Sequence, residues 1–405
     1  MTDKRWNDDV AYVFYTHRLF LRVFGLWPLQ TKTMFTKLRW GLSTMTQLVS
    51  LPLVMIGFFW SDQDAGSDIE YLTHFTGPSL AITKSLCLFV NQEKLGMNIN
   101  AAIDDWISVE DNEKAKRIMK KYATRARILT FTLLYSVFGC FFAYISVILF
   151  INVKQIFFTD KNLADGNVTQ WMFIFPIGSL SNLINRKQYT MIMTFQAVEV
   201  FIQSLILCVS DCLFFSVTMH LSGQINVLKN KIAVFAHKPD TETNYQKKFV
   251  ELLNRHSELT KLYHNLEDSF NIYILIELVM NTIMLAFIGL RINICLNKKY
   301  YAEAIKSTCI ANYILINSLI FTYGGEFLQQ DSEDIFHALY AASWYTLPLA
   351  LMKDIQFTMM KSNIPFRLTG GKFFFVNRET MMNILKTAAS YVSVLRIAIE
   401  KYDDQ

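Results

Sequence analysis

The chain has 405 residues, of which 52% are hydrophobic, 14% aromatic and only 18% charged, against a usual charged share of about 25% in soluble domains. That deficit, with 33 Phe and a mean hydropathy of +0.24, points to lipid rather than water as the solvent for much of the surface. The net charge of +5 is small and spread over connecting segments, which excludes the basic stripe that nucleic acid requires.

Residues 1–37 form an N-terminal segment with Lys4, Arg5, Arg18, Arg22, Lys32 and Lys37 and no apolar run ahead of a cleavage site. The first span is therefore expected to act as its own insertion signal. A helix needs about 20 apolar residues to cross about 30 Å of hydrocarbon. Seven segments qualify: Leu38–Trp60, Ile69–Val90, Ile128–Ile151, Tyr189–Leu213, Ile272–Ile294, Ala302–Tyr323 and Phe373–Ile399. The second and seventh are the least apolar, because they carry Lys84 and Lys386. The fourth keeps its helical period to about Phe235, before the break at His237-Lys238-Pro239-Asp240. The fifth begins early, with Leu252, Leu259, Leu262 and Leu266 near one face. Such projections must bury their apolar faces against each other, so residues 214–271 are expected to build a cytosolic helical platform. Residues 324–372 separate the sixth span from the last, 373–399 form the last span and 400–405 a tail. The fold class is all-α, a polytopic membrane protein of seven transmembrane helices.

Lysine and arginine set the orientation. Taking the connections alternately, 27 fall on the side of the N-terminus and 10 on the other, which predicts a cytosolic N-terminus and an extracellular C-terminus. The sequon at Asn167, a glycosylation acceptor, lies in the third-to-fourth connection on the predicted outer side.

No paired carboxylates, HExxH, GxSxG or phosphate-cradling glycines occur, so no enzyme activity and no cofactor are expected. His220, His256 and His264 cluster near the predicted cytosolic helix ends, yet their spacing matches no closed zinc pattern and no metal is expected. The six cysteines all fall in or beside apolar segments and read as small buried hydrophobes, with a Cys295–Cys309 bridge as the alternative. Ionisable residues inside a membrane are expensive and mark sites worth testing. Lys84 and Asp211 lie toward the inner leaflet, where they pair or snorkel. Glu277 lies near the cytosolic start of its helix, solvated or hydrogen-bonded, and Lys386 lies in the last span.

The region from Thr322 to Glu400 carries Gly324, Ser332, Ala338, Tyr340, Trp344-Tyr345, Pro365 with Leu368, Gly371-Lys372-Phe373 and the closing ILKTAASY. With RHSELTKL at Arg255–Leu262 and Asp211 in the fourth span, these pieces resemble the insect odorant receptors. The TYxxxxxQF pattern of gustatory receptors is not matched, because no QF follows Thr322-Tyr323 at that spacing. The chain also lacks the long fourth-to-fifth insertion of the shared odorant co-receptor, which favours a ligand-tuning subunit. The resemblance implies a ligand-gated, non-selective cation channel in the plasma membrane of sensory neurons. It implies a tetramer with co-receptor subunits, a volatile ligand and permeating cations, surrounded by membrane lipid and without nucleic acid. It also implies a broken seventh helix, with an inner half near Glu326–Tyr345 packed as an anchor and an outer half lining the pore.

In the last span Thr387, Tyr391, Val394 and Ala398 recur on one helical stripe, suited to a narrow lining that closes by excluding water. Family alignment makes Val394 the constriction, with Ile397 or Ala398 next outward. The resemblance places the ligand among the outer halves of helices two, three, four and six. Candidates there are Tyr71, His74, Phe75 and Pro78; Phe142, Tyr144 and Ser146; Met193 and Ala197; and Thr308, Asn312 and Tyr313. A G-protein-coupled receptor is the competing class, but it requires an outside N-terminus and a DRY-like triplet, and a transporter would show duplicated halves.

Overall fold

A computed structural model describes residues 6–59, 65–110, 112–159, 173–175, 184–237, 242–341, 344–346 and 348–403. The sequon at Asn167 lies outside them. A short amphipathic helix, α1 (Asp8–Val23), leads the chain. Asn7 caps it by accepting from the Val10 amide at 2.9 Å, and Asp8, Asp9 and Arg22 complement its dipole. Among the described residues nine α-helices follow: α2 (Met34–Phe59), α3 (Ala65–Val90), α4 (Gln92–Ser108), α5 (Glu113–Thr159), α6 (Arg186–His237), α7 (Glu242–Asn297), α8 (Tyr301–Ala341), α9 (Leu349–Ser362) and α10 (Arg378–Asp403). Between the last two, β1 (Thr369–Gly370) and β2 (Phe374–Phe375) make a minimal antiparallel hairpin, with Thr369 opposite Phe375.

Among the described residues, α2, α5, α6, α7 and α8 are long and apolar enough to cross a membrane. Their faces are sorted for lipid. On α2 the buried side is Ser43, Thr44, Gln47 and Ser50, whereas Leu42, Met45, Val49, Leu53 and Ile56 point outward. That is the reverse of a soluble helix, and it fits a solvent as apolar as leucine. The centre of the bundle is α6, in which every residue from 205 to 219 is buried.

At about 1.5 Å per residue, the 56 residues of α7 reach roughly 84 Å, far beyond a bilayer. The overhangs of α5 to α8 pack with α1, α4 and α9 into a platform at one end. Polar contacts hold it: the Tyr122 hydroxyl donates to Asp331 at 2.8 Å, Asn226 donates to both, and Lys229 meets Asp334 at 2.7 Å. Asp105 gathers His220 at 3.1 Å and Arg255. The ring of His256 lies over Phe366, 6.2 Å between centroids.

Two boundaries differ from the sequence reading. Residues 324–341, expected between the sixth span and the last, continue the sixth span as one helix, α8, to Ala341. The last helix begins at Arg378 rather than Phe373, because Phe374–Phe375 pair in the hairpin. Gly324 and Gly325 are there for close packing. A Cβ on Gly325 would lie 1.9 Å from the Val376 carbonyl oxygen, and one on Gly324 would press on Phe214 and Phe215. The separate segment before the last span is instead α9. The hairpin after it is pinned to the bundle. The Gly371 amide donates to the Asn271 carbonyl at 2.8 Å, Ser332 Oγ accepts from the Phe366 amide at 2.9 Å, and Tyr263 stacks on Phe366 at 4.5 Å.

Candidate ligand cavity

Five helices, α3, α5, α6, α7 and α8, line a cavity of about 180 Å³. Each contributes a stripe at helical spacing. From α3 come Thr73, His74, Thr76, Gly77 and Leu80, and from α5 Val137, Cys140, Phe141 and Tyr144. Val200, Gln203, Ser204 and Leu207 line it from α6, and Glu277, Asn281 and Met284 from α7. Cys309, Ile310, Tyr313 and Ile314 close the α8 side. Ile174 and Phe175 cover it from the connection before α6, where Gln196 Oε1 accepts from their amides at 3.1 and 3.3 Å and its Nε2 donates back to the Phe175 carbonyl.

Two ion networks bracket the cavity along the bundle. Toward the platform, Lys84 Nζ lies 2.8 Å from Asp211 Oδ1 and 2.9 Å from Glu277 Oε1. Tyr273 and Asn317 donate to the two Asp211 oxygens, and Asn281 donates to Asn317 and Ser318 at 3.1 Å. Lys84 is 1% exposed and Asp211 fully buried, so they pair rather than snorkel. Glu277, read from sequence as lying near a helix start, is buried within this network. At the opposite end Arg291 bridges Glu70 at 2.7 Å and Glu303 at 2.9 Å, and Lys306 joins Glu303. The ring of His74 stands edge-on to Phe175, and its Nε2 is 3.5 Å from the Tyr144 hydroxyl. Arg291 with Glu70 and Glu303 thus ties α3, α7 and α8 together without a disulfide. All six cysteines, Cys295 and Cys309 included, are free.

Of the twelve residues proposed from sequence, the structure brings His74, Tyr144 and Tyr313 to the cavity. Tyr71 is buried with Val54 and Phe175 in a separate cluster, and Met193 and Ala197 belong to another, with Ile148, Phe173 and Tyr189. Phe75, Phe142, Ser146, Thr308 and Asn312 lie on exposed faces, and Pro78 is buried off the cavity. The α7 wall and the 173–175 segment had no counterpart in the sequence reading.

The last helix presents two sides. Met381, Ile384 and Ala388 are buried, and Val392 meets α7 at Gly289, where a Cβ would lie 2.8 Å from its methyl. Thr387, Tyr391, Val394 and Ile397 are exposed, Tyr391 by 52% and Val394 by 60%. Ala398 follows on the same helix.

The comparisons with known proteins agree with one another. A family model described as 7tm Odorant receptor matches residues 67–389. Odorant receptor 13a of Drosophila melanogaster is 22% identical over 343 residues, covering 80% of this chain and 78% of that one. Odorant receptor 47a of the same species is 24% identical over 195 residues, 46% and 48% of the two chains. The olfactory receptor OR5 of Machilis hrabei, solved in complex with eugenol, superposes with a TM-score of 0.80 at 14% identity, over 96% of this chain and 100% of that one. The same receptor without eugenol gives 0.77. The fold is therefore the seven-helix membrane fold of insect odorant receptors. The two sequence-predicted spans beyond the five long apolar helices lie on α3 and α10. This chain belongs to the 7tm Odorant receptor family.

Proposed function

We propose that the chain is the odorant-binding subunit of a ligand-gated, non-selective cation channel. It works in the plasma membrane of sensory neurons, in a tetramer with shared co-receptor subunits, its N-terminus in the cytosol. The observation that carries this is the cavity between α3, α5, α6, α7 and α8. Its walls are mainly aliphatic and aromatic, so a volatile molecule gains affinity from apolar area removed from water, at roughly 25 cal/mol per Å². An engineered apolar cavity of about 150 Å³ holds benzene; this one, about 180 Å³, suits a single ring with a short substituent.

Three features support the remainder. The excess of basic residues on one set of connections favours the platform side as cytosolic. Thr387, Tyr391, Val394 and Ile397 form a stripe exposed among the described residues, with Ala398 next on the same helix, and neighbouring subunits would enclose it as the conduction path. The α7 wall touches both regions, since Met284 faces the cavity and Gly289 meets Val392 of α10. Ligand in the cavity would displace α7 and, through it, the pore stripe.

The test is electrical. The chain is expressed in oocytes with and without a co-receptor, and a panel of volatiles is applied. Inward cation currents evoked only in the co-expressing cells are expected. Intact surface delivery of both subunits with no current to any volatile would overturn the reading.

A further inference from the structure

We propose that the cavity selects hydroxyl-bearing ligands, alcohols or phenols, through Glu277 on α7. This deepens the function proposed above and rests on the cavity being its ligand site. Glu277 lines the cavity and is 3% exposed. Lys84 occupies its Oε1 at 2.9 Å and leaves Oε2 with no hydrogen-bond partner. Two further polar atoms on the cavity wall are also unpartnered: Gln203 Oε1 from α6 and the Tyr313 hydroxyl from α8. Buried polar atoms are nearly always paired, so three orphans on one apolar cavity describe what its occupant should supply.

The donor and acceptor inventory narrows the choice. Gln203 Oε1 only accepts, so it calls for a donor. Glu277 Oε2 accepts when ionised and donates when protonated, and the Tyr313 hydroxyl does either. With Glu277 protonated, a ligand O–H serves all three atoms, accepting from Glu277 and Tyr313 and donating to Gln203; with Glu277 ionised, its one hydrogen still serves the carboxylate or the amide oxygen. An ether serves Glu277 only in its protonated state and leaves Gln203 unpaired. A hydrocarbon serves none. An ammonium ion would sit beside Lys84, whose like charge at the same carboxylate opposes it.

The test uses the purified full-length chain in detergent and four probes of one size: benzyl alcohol, benzyl methyl ether, ethylbenzene and benzylamine. Affinities are read from ligand-induced shifts in melting temperature. Benzyl alcohol is expected to bind about tenfold more tightly than the other three. Glu277→Gln presents an amide N–H to the cavity, so the ether should gain on the alcohol and the gap shrink to about threefold or less. Gln203→Leu lies outside the ion network and should weaken the alcohol while leaving ethylbenzene unchanged. Equal affinities in the wild type, tightest binding of benzylamine, binding of no probe, or an alcohol preference that survives both variants would each overturn the proposal. Volatile-evoked currents with no hydroxyl preference would overturn it and leave the channel reading standing. Hydroxyl-selective binding without current under any volatile would do the reverse.

Discussion

Lys84 shows how a charged side chain is kept inside a membrane bundle. Its ammonium sits between Asp211 and Glu277, and Tyr273 and Asn317 take up remaining lone pairs on Asp211. Removing one partner of such a buried set leaves uncompensated charge and costs about 3–5 kcal/mol. Lys84→Met is therefore expected to abolish most surface delivery, measured by surface labelling, and Lys84→Met with Asp211→Asn to recover part of it. Equal delivery of wild type and Lys84→Met would contradict this role. A second residue-scale effect lies in the platform. His17 is buried in α1 with Nε2 3.1 Å from Ser216 Oγ, and burial lowers its pKa to about 4. The unfolded chain takes up that proton first, near the ordinary value of about 6.5. Stability from neutral His17 is thus complete above about pH 6.5 and is lost as pH falls toward 4, on the order of 3 kcal/mol in all. In detergent, the melting temperature of His17→Leu should fall less than that of the wild type over this window. Identical slopes would remove His17 from the account.

At the scale of elements, the spans on α2, α5, α6, α7 and α8 were legible because each is a run of apolar residues, and the helical period beyond the fourth and fifth spans marked the overhangs of α6 and α7. The continuation of α8 past Tyr323 was not legible, because the Gly324-Gly325 pair there, at a cost of about 1 kcal/mol of helix propensity per glycine, is favoured only by packing. The purpose of the pair, room for the Val376 carbonyl beside α8, is a tertiary contact with no local signature. The cavity was only partly legible for a related reason. Residues were chosen by chemistry at the right depth, but a helix offers the cavity one phase. On α5 that phase is Val137, Cys140, Phe141 and Tyr144, which holds Tyr144 and leaves Phe142 and Ser146 on other faces. The phase is set by neighbouring helices. The α7–α10 contact yields two predictions. Gly289→Val should push Val392 and α10 away and raise the ligand-independent leak in co-expressing cells; an unchanged leak would mean the contact does not transmit. Val394→Ala should alter gating or ion permeability while surface expression persists. Unchanged currents, leak and permeability would remove it from the gate.

The molecule as a whole combines three things: a bundle whose polar side chains face inward, a cavity bracketed by two ion networks, and a last helix with one face packed on α7 and the other exposed. The platform is built from the overhangs of α5 to α8, and in the proposed function it is the fixed base against which a ligand would move α7 and, through it, α10. Filling the cavity tests this most directly. Ser204 lines it, its hydroxyl turned back to the Val200 carbonyl at 2.7 Å, so a larger side chain there occupies ligand volume without touching either ion network. The decisive measurement is the volatile-evoked current of Ser204→Phe with the co-receptor, at surface expression matched to the wild type. The account predicts loss of the evoked current, or a concentration–response curve shifted at least about tenfold, equivalent to about 1.4 kcal/mol. A curve that overlays the wild type would contradict it.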